Sequence, residues 1–167
     1  YKYNMNPLTV TWAPLSYTNI GWENLQSSIN AGFDNNLFRP NGLLQRKLAR
    51  LCLEELGDAF HVFVMGQVSY PMHVAIQMNV SLVFYGENGE LEYAGDPKYI
   101  DKPYKPSSEW LKHYLKGSKL DDLIDFGIKN KKYLNENDFT KSDLKFYKPP
   151  DEERLFENEI KGQHFFG

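Results

Sequence analysis

The sequence predicts an α+β fold in which helices pack on an antiparallel sheet of three to five strands. The first observation is an alternation of apolar with small or polar residues over 72–85, which is typical of a strand with one buried face. The second is an apolar stripe at helical spacing within residues 43–56. The third is Asn88-Gly89, a strong hairpin signal that closely follows the alternating segment.

The first elements of the chain are a predicted strand and a predicted helix. Residues 8–12 (LTVTW) are rich in β-branched and aromatic side chains, as expected of a short strand. Thr18 or Asn19 can cap a helix at about 20–31, because their side-chain oxygens can accept a hydrogen bond from a free N–H of the first turn. The apolar residues of this helix follow helical spacing and are predicted to face inward: Trp22, Leu25 and Ile29.

A second and stronger helix follows a predicted loop at 33–42. This helix covers about 43–56 and ends at Gly57, a residue that favours the left-handed conformation found after helices. Its predicted buried stripe consists of Leu44, Leu48, Leu51, Cys52 and Leu56.

The predicted sheet is a central meander at about 60–94. Residues 60–65 are apolar at nearly every position, which indicates a strand covered on both faces, and 66–71 form a predicted turn. The long alternating strand comes next and is followed by the Asn88-Gly89 hairpin. With either a two- or a four-residue turn, the return strand adds two residues to the buried face, Leu91 and Tyr93.

The C-terminal half predicts helices within 108–128 and a less regular extension at about 130–167. Pro149-Pro150-Asp151 can open a last short helix. The apolar residues predicted to share one side of that helix are Leu155, Phe156 and Ile160. The whole chain, 1–167, is predicted to form a single domain, since its length fits one hydrophobic core.

The composition argues against several classes of function. A net charge of -3 provides no basic surface for nucleic acid, and no apolar run approaches the ~20 residues that span a bilayer. Cys52 is the only cysteine, which excludes an intrachain disulfide and favours a reducing, cytoplasmic compartment. Because the chain starts at Tyr1, a removed signal peptide stays an open alternative. No cofactor or metal is expected, since nucleotide-binding glycine loops and paired metal-ligand motifs are missing.

One segment, about 41–94, resembles the papain-like peptidases. It combines a helix, then His73-Val74-Ala75-Ile76 on a predicted strand, then a hairpin. The resemblance implies a cysteine nucleophile at a helix N-terminus and an activating histidine on the sheet. Cys52 instead lies late in its helix and on the apolar stripe, where the helix dipole opposes a thiolate. We therefore predict a buried structural Cys52, with His73 as the general base if the chain is an enzyme.

The polar face of the alternating strand is the predicted binding surface. Aromatic residues make up 15% of the chain, and tyrosine and tryptophan are enriched at protein interfaces. The predicted binding residues are His73, Gln77, Asn79, Ser81, Tyr85, Tyr99, Tyr104 and Trp110. This surface favours a non-catalytic module that binds or inhibits a protein partner, of the immunity-protein or virus-encoded inhibitor type. The alternatives are a hydrolase or transferase that uses His73, and a structural subunit of a larger assembly.

Overall fold

The protein is built around one long helix, α3 (His61–Met78). The computed structural model describes residues 5–86 and 119–164. Within these residues the fold is α+β, with six α-helices and two sheets of two parallel strands each. In chain order the elements are β1 (Leu8–Trp12), α1 (Asn19–Asn30), β2 (Asp34–Phe38), α2 (Gly42–Leu56), α3 (His61–Met78), β3 (Leu82–Tyr85), α4 (Leu120–Lys129), a 3-10 helix (Glu136–Asp138), α5 (Lys141–Leu144), a second 3-10 helix (Lys145–Tyr147), α6 (Glu152–Glu157) and β4 (Lys161–His164).

Helix α3 is surrounded by other elements, which explains its composition. Helices α2 and α6, strands β1 and β3 and the second 3-10 helix all pack against it. Ten of its 18 residues are buried. A helix that is covered on several sides needs apolar residues around most of its circumference, so it shows little of the 3.6-residue period of a surface helix.

The ends and the interior of α3 are fixed by specific residues. The carboxylate of Asp58 accepts a hydrogen bond from the Phe60 N–H (2.9 Å) immediately before the helix. Asn79 ends the helix in the left-handed conformation, with φ 54°. Pro71 lies within the helix and cannot donate to the carbonyl one turn earlier. In that preceding turn, the Val68 carbonyl accepts a hydrogen bond from the Tyr85 hydroxyl (3.0 Å).

The predicted antiparallel sheet is wrong, because the first half of the alternating segment, 72–78, is helical and both observed sheets are parallel. Of the strand predicted at 60–65, residues 61–65 form the start of α3. The predicted turn at 66–71 lies within the same helix. Only the last four residues of the alternation, Leu82–Tyr85, form a strand. The alternation arose because apolar residues occur on every side of α3, and a short apolar run does not separate a buried helix from a strand.

The strand at the end of the alternation also faces the other way. Its half-buried residues Val83 and Tyr85 pack against a small apolar cluster that includes Met72. The left-handed turn at Asn79 redirects the chain, so the orientation within α3 does not continue into β3. The predicted buried residues on this stretch are instead exposed: Met78, Val80, Leu82 and Phe84.

Both sheets are parallel pairs. Strands β1 and β2 align Leu8 with Asp34 and Trp12 with Phe38, and α1 connects them; β2 therefore lies in the predicted loop at 33–42. Strands β3 and β4 align Leu82 with Lys161. The predicted Asn88-Gly89 hairpin, its return strand with Leu91 and Tyr93, and residues 108–118 of the predicted C-terminal helices lie outside the described residues.

The predicted first strand and second helix are confirmed. Strand β1 covers Leu8–Trp12. Helix α2 starts where the Asn41 side-chain oxygen accepts hydrogen bonds from two backbone N–H groups (3.2 Å each), and it ends at Gly57 with φ 70°. Its stripe is buried except for Leu56, which lies at the end of the helix and is exposed. The buried members are Leu44, Leu48, Leu51 and Cys52.

The C-terminal part contributes more to the core than the predicted extension would. Residues 120–128 of the predicted helices belong to α4, and α6 follows Asp151 as expected. Leu155 and Ile160 are buried, but Phe156 is 86% exposed, so the predicted three-residue apolar side is wrong at that position. Further buried residues of this part are Leu134, Leu144 and Tyr147.

The centre of the core is an aromatic cluster around Trp12. The ring of Trp12 lies 4.8 Å from Tyr147, 5.0 Å from Phe38 and 6.0 Å from Tyr70, measured between ring centroids. Its indole also lies directly on the backbone of Gly66 in α3, where a side chain would collide with it. The cluster thus joins β1, β2, α3 and the second 3-10 helix.

No helix in the described part of the chain has the length and apolar character needed to cross a bilayer.

Candidate functional site

The described members of the predicted binding face differ in exposure. Its members at the end of α3 and in the following turn, Gln77, Asn79 and Ser81, are exposed. His73 and Tyr85 are half-buried, and the hydroxyl of Tyr85 is bound to the backbone of α3. The other predicted members lie outside the described residues: Tyr99, Tyr104 and Trp110.

His73 joins α3 to the C-terminal part of the chain. Its Nε2 atom lies 2.8 Å from the carbonyl oxygen of Lys148. Because a carbonyl can only accept, Nε2 carries the hydrogen and donates it. The imidazole ring also packs edge-on against Phe146, with centroids 5.2 Å apart and planes at 80°. The Nε2 atom of His73 is therefore engaged in a structural contact.

The surroundings of His73 favour its neutral form. Burial lowers the pKa of His73, and the positive charges of Lys145 and Arg154 act in the same direction. The hydrogen bond to Lys148 and the negative charge of Asp151 oppose this effect without reversing it. A lowered pKa makes the imidazole a weaker proton acceptor, which is unfavourable for a general base.

The prediction that Cys52 is buried is confirmed. Burial raises the pKa of the Cys52 thiol to about 11, and the negative charge of Asp58 adds to the rise, while the backbone of Val62 opposes it. The thiolate is the reactive form of cysteine, so a pKa this high leaves almost none of it at neutral pH. The arrangement implied by the papain-like resemblance therefore lacks an activated nucleophile at Cys52.

The prominent exposed feature is at helix α1. The helix occupies nearly its predicted range, and its cap is Thr18, whose hydroxyl oxygen accepts a hydrogen bond from the Gly21 N–H (3.0 Å). None of its 12 residues is buried. Ile20 is 70% exposed and Trp22 is 39% exposed, so the prediction that Trp22 faces inward is wrong. The other two residues predicted to face inward, Leu25 and Ile29, are half-buried.

Three residues form a compact group on this surface, which we call the Trp22 patch: Tyr17, Trp22 and Arg39. The rings of Tyr17 and Trp22 meet edge to face, with centroids 5.4 Å apart and planes at 75°. The guanidinium carbon of Arg39, which follows β2, lies 5.6 Å from the centre of the Trp22 ring. This distance is within the range of a cation–π interaction.

Arg39 keeps its charge available in this patch. None of the ion pairs formed among residues 5–86 and 119–164 includes Arg39. A guanidinium that lies over an aromatic ring retains in-plane N–H donors for another partner. The patch therefore combines apolar area, a positive charge and hydrogen-bond donors on an exposed surface.

The Trp22 patch was missed because helical spacing alone assigned Trp22 to the core. No signal in the sequence separates Trp22 from a core residue, because it shares its helical spacing with Leu25 and Ile29. The proximity of Arg39 could not be read from the sequence, because the segment before it was predicted to be a loop rather than a strand paired with β1.

The described residues do not form a metal site, since they contain no group of three or more His, Cys, Asp or Glu side chains that could hold an ion.

No protein family matches the chain, and no curated protein is similar to it in sequence. The Trp22 patch and the setting of His73 are therefore the observations on which a function can be argued.

Proposed function

We propose that the chain is a non-catalytic protein-binding module that contacts its partner through the Trp22 patch. The observation that carries the proposal is the exposure of α1, a helix of 12 residues with none buried. A helix in a βαβ connection normally covers its sheet with an apolar face. Helix α1 instead leaves Trp22 exposed, with Tyr17 and Arg39 beside it, which is typical of a surface that another protein covers.

The residue types of the patch support recognition of a protein. Tryptophan, tyrosine and arginine are the residues most enriched among those that dominate binding energy at protein interfaces. Contacts with Tyr17 and Arg39 restrict the Trp22 ring before any partner arrives. A restricted side chain loses less conformational entropy on binding, so more of its contact energy contributes to affinity.

The two residues considered for catalysis support the non-catalytic part of the proposal. Cys52 is buried and its pKa is raised to about 11, and the Nε2 atom of His73 is bonded to a backbone carbonyl. Both side chains contribute to the packing of α2 and α3, which accounts for their positions without a reaction.

A selection from a displayed library of random twelve-residue peptides tests the proposal. We expect peptides to be enriched on the immobilised full chain and to lose about thirty-fold or more in affinity for Trp22→Ala, as at a binding hot spot of 2 kcal/mol. Phe156→Ala is the matched control, since Phe156 is an exposed aromatic residue elsewhere on the molecule. Absence of enrichment, or equal binding to the wild type and the Trp22→Ala variant, contradicts the proposal.

The first predicted binding face is tested by the same selection. If Gln77→Ala and Ser81→Ala weaken peptide binding while Trp22→Ala does not, the exposed end of α3 is the binding surface instead of the Trp22 patch. Circular dichroism spectra of all variants establish that each has the wild-type fold.

A further inference from the structure

We propose that the Trp22 patch recognises an acidic segment of its partner protein, with a carboxylate bound to the Arg39 guanidinium beside an apolar contact on Trp22. The inference rests on the proposed protein-binding function and adds the chemical class of the ligand. It depends on three observations: the charge of Arg39, the position of nearby carboxylates and the net charge of the chain.

Four cations of the described residues contact an aromatic ring; two of them are also paired with a carboxylate, whereas Arg39 and Lys145 are not. Arg50 lies over the ring of Tyr133 and is paired with Glu54, and Lys132 lies near the ring of Phe126 and is paired with Glu55. Arg39 makes the same kind of ring contact with Trp22, but without an ion pair among the described residues. A carboxylate from a partner would complete at Arg39 the combination that the chain makes internally at Arg50.

The acidic residues close in sequence do not fill this role. Asp34 is the first residue of β2, while Arg39 follows the last, so the strand separates them by roughly 16 Å at ~3.3 Å per residue. Glu23 is next to Trp22 on α1, and its side chain is displaced by about 100° around the helix axis. Neither carboxylate lies within ion-pair distance of Arg39.

The geometry of an arginine next to a tryptophan ring suits a carboxylate. The guanidinium presents parallel N–H donors that match the two oxygens of a carboxylate, and such charge-assisted pairs are stronger than neutral hydrogen bonds. The neighbouring Trp22 ring provides apolar area next to the charge. A segment with an acidic residue close to an apolar residue fits both parts of the patch.

A single-stranded nucleic acid has a related chemistry, since its bases stack on aromatic rings and its phosphates bind arginine. The net charge of -3 disfavours this class, because nucleic-acid binding depends on several cations along the backbone, and the patch supplies one. An acidic protein segment needs only the single pair at Arg39.

The peptides enriched on the wild-type chain provide the probe. We expect Asp and Glu to be over-represented among them. In the peptide with the highest affinity, conversion of the acidic side chain that the enriched peptides share to its amide should weaken binding about ten-fold or more. Arg39→Gln should weaken binding of the acidic peptide to a similar extent. It should have little further effect on binding of the amide peptide. Arg46→Gln, which makes the same change in net charge at another exposed arginine, should leave binding unchanged.

The outcomes separate this inference from the proposed function. Peptides that need Trp22 but show no acidic preference and no dependence on Arg39 overturn the inference and leave the protein-binding function intact. If peptide binding is unchanged by Trp22→Ala and by Arg39→Gln, the inference and the proposed function are both overturned. If a twelve-nucleotide oligothymidine binds as tightly as the acidic peptide and loses the same affinity on Arg39→Gln, the ligand is a nucleic acid and the inference of an acidic segment is overturned.

Discussion

The close contact between α3 and β1 leads to a sharp prediction for Gly66→Ala. A Cβ atom on Gly66 would lie 2.2 Å from Cε2, 2.4 Å from Cζ2 and 2.6 Å from Cδ2 of Trp12. Carbon atoms in contact are usually about 3.5 Å apart or more, so the indole would have to move by roughly 1.3 Å. It cannot do so freely, because the rings of Phe38 and Tyr147 pack against it.

The expected loss of stability follows from two opposing effects. Alanine stabilises a helix interior by about 1 kcal/mol relative to glycine. Overpacking of a rigid core costs about 1–3 kcal/mol, and three short contacts with one buried ring place Gly66→Ala at the upper end. The variant should therefore be about 2 kcal/mol less stable, which lowers the urea midpoint by about 1 M at a typical slope.

Two other glycines serve as graded controls for this measurement. At Gly42, in the first turn of α2, the nearest atom to an added Cβ is the flexible end of Arg46 at 3.7 Å, so alanine should be neutral or stabilising. At Gly127 the nearest atoms are methyl groups of Leu51 (2.9 Å) and Leu134 (3.0 Å), which can shift, so the change should be small. Equal urea midpoints for Gly66→Ala and Gly42→Ala would refute the packing of Trp12 on α3.

Three further predictions concern titratable and polar groups of the core. His73→Gln should lower the free energy of unfolding by about 1–2 kcal/mol at pH 7.5. Because the pKa of His73 is lowered from its ordinary 6.5, the folded wild type binds fewer protons than the unfolded chain, and it loses stability as the pH falls below 6.5. The difference between the two proteins in urea unfolding should therefore shrink at pH 5. A constant difference would show that His73 titrates normally. Cys52 should react with an aromatic disulfide reagent at pH 8 only as fast as the protein unfolds, and immediate labelling of native protein would contradict its burial. Tyr70→Phe should lower the stability by about 1 kcal/mol, because the Tyr70 hydroxyl donates to the Asn36 side chain at 2.7 Å. Tyr147→Phe should be neutral or stabilising in thermal unfolding, because the buried Tyr147 hydroxyl has no hydrogen-bond partner among the described residues. Equal losses of stability for both variants would contradict this contrast.

Local signals in the sequence were sufficient for the elements whose ends are fixed by their own residues. Helix α2 starts at an asparagine that caps it and ends at a glycine in the left-handed conformation, and both features can be recognised without tertiary structure. Helix α1 is similar, with Thr18 as its cap. Strand β1 was recognisable from its β-branched and aromatic residues.

The interpretation of the longest apolar segment failed because its surroundings determine its structure. Helix α3 is buried on several sides, and a proline at position 71 argued for a turn that the fold does not make. The pairing of β1 with β2 was equally hidden, since Asn35 and Asn36 in β2 are typical of loops. Their side chains are used in the fold: Asn35 donates to Thr9 (2.8 Å), and Asn36 accepts from Tyr70.

The candidate site was accessible to sequence reasoning only in its residue types. An excess of aromatic residues indicated a recognition surface, but it did not say which rings are exposed. Trp12 is buried in the core, whereas Trp22 is exposed. The partner of Trp22, Arg39, is brought to it by the parallel pairing of β1 and β2, which is a contact between distant segments.

The aromatic cluster also has a consequence for how the chain folds. Trp12 comes from the start of the described chain and Tyr147 from near its end, and His73 bonds to a residue 75 positions away. Contacts between such distant segments require the closure of long loops before they contribute stability, which slows folding. Neither residues 5–86 nor residues 119–164 contain the whole cluster, so two separate peptides with these sequences should remain largely unfolded alone and gain structure when they are mixed.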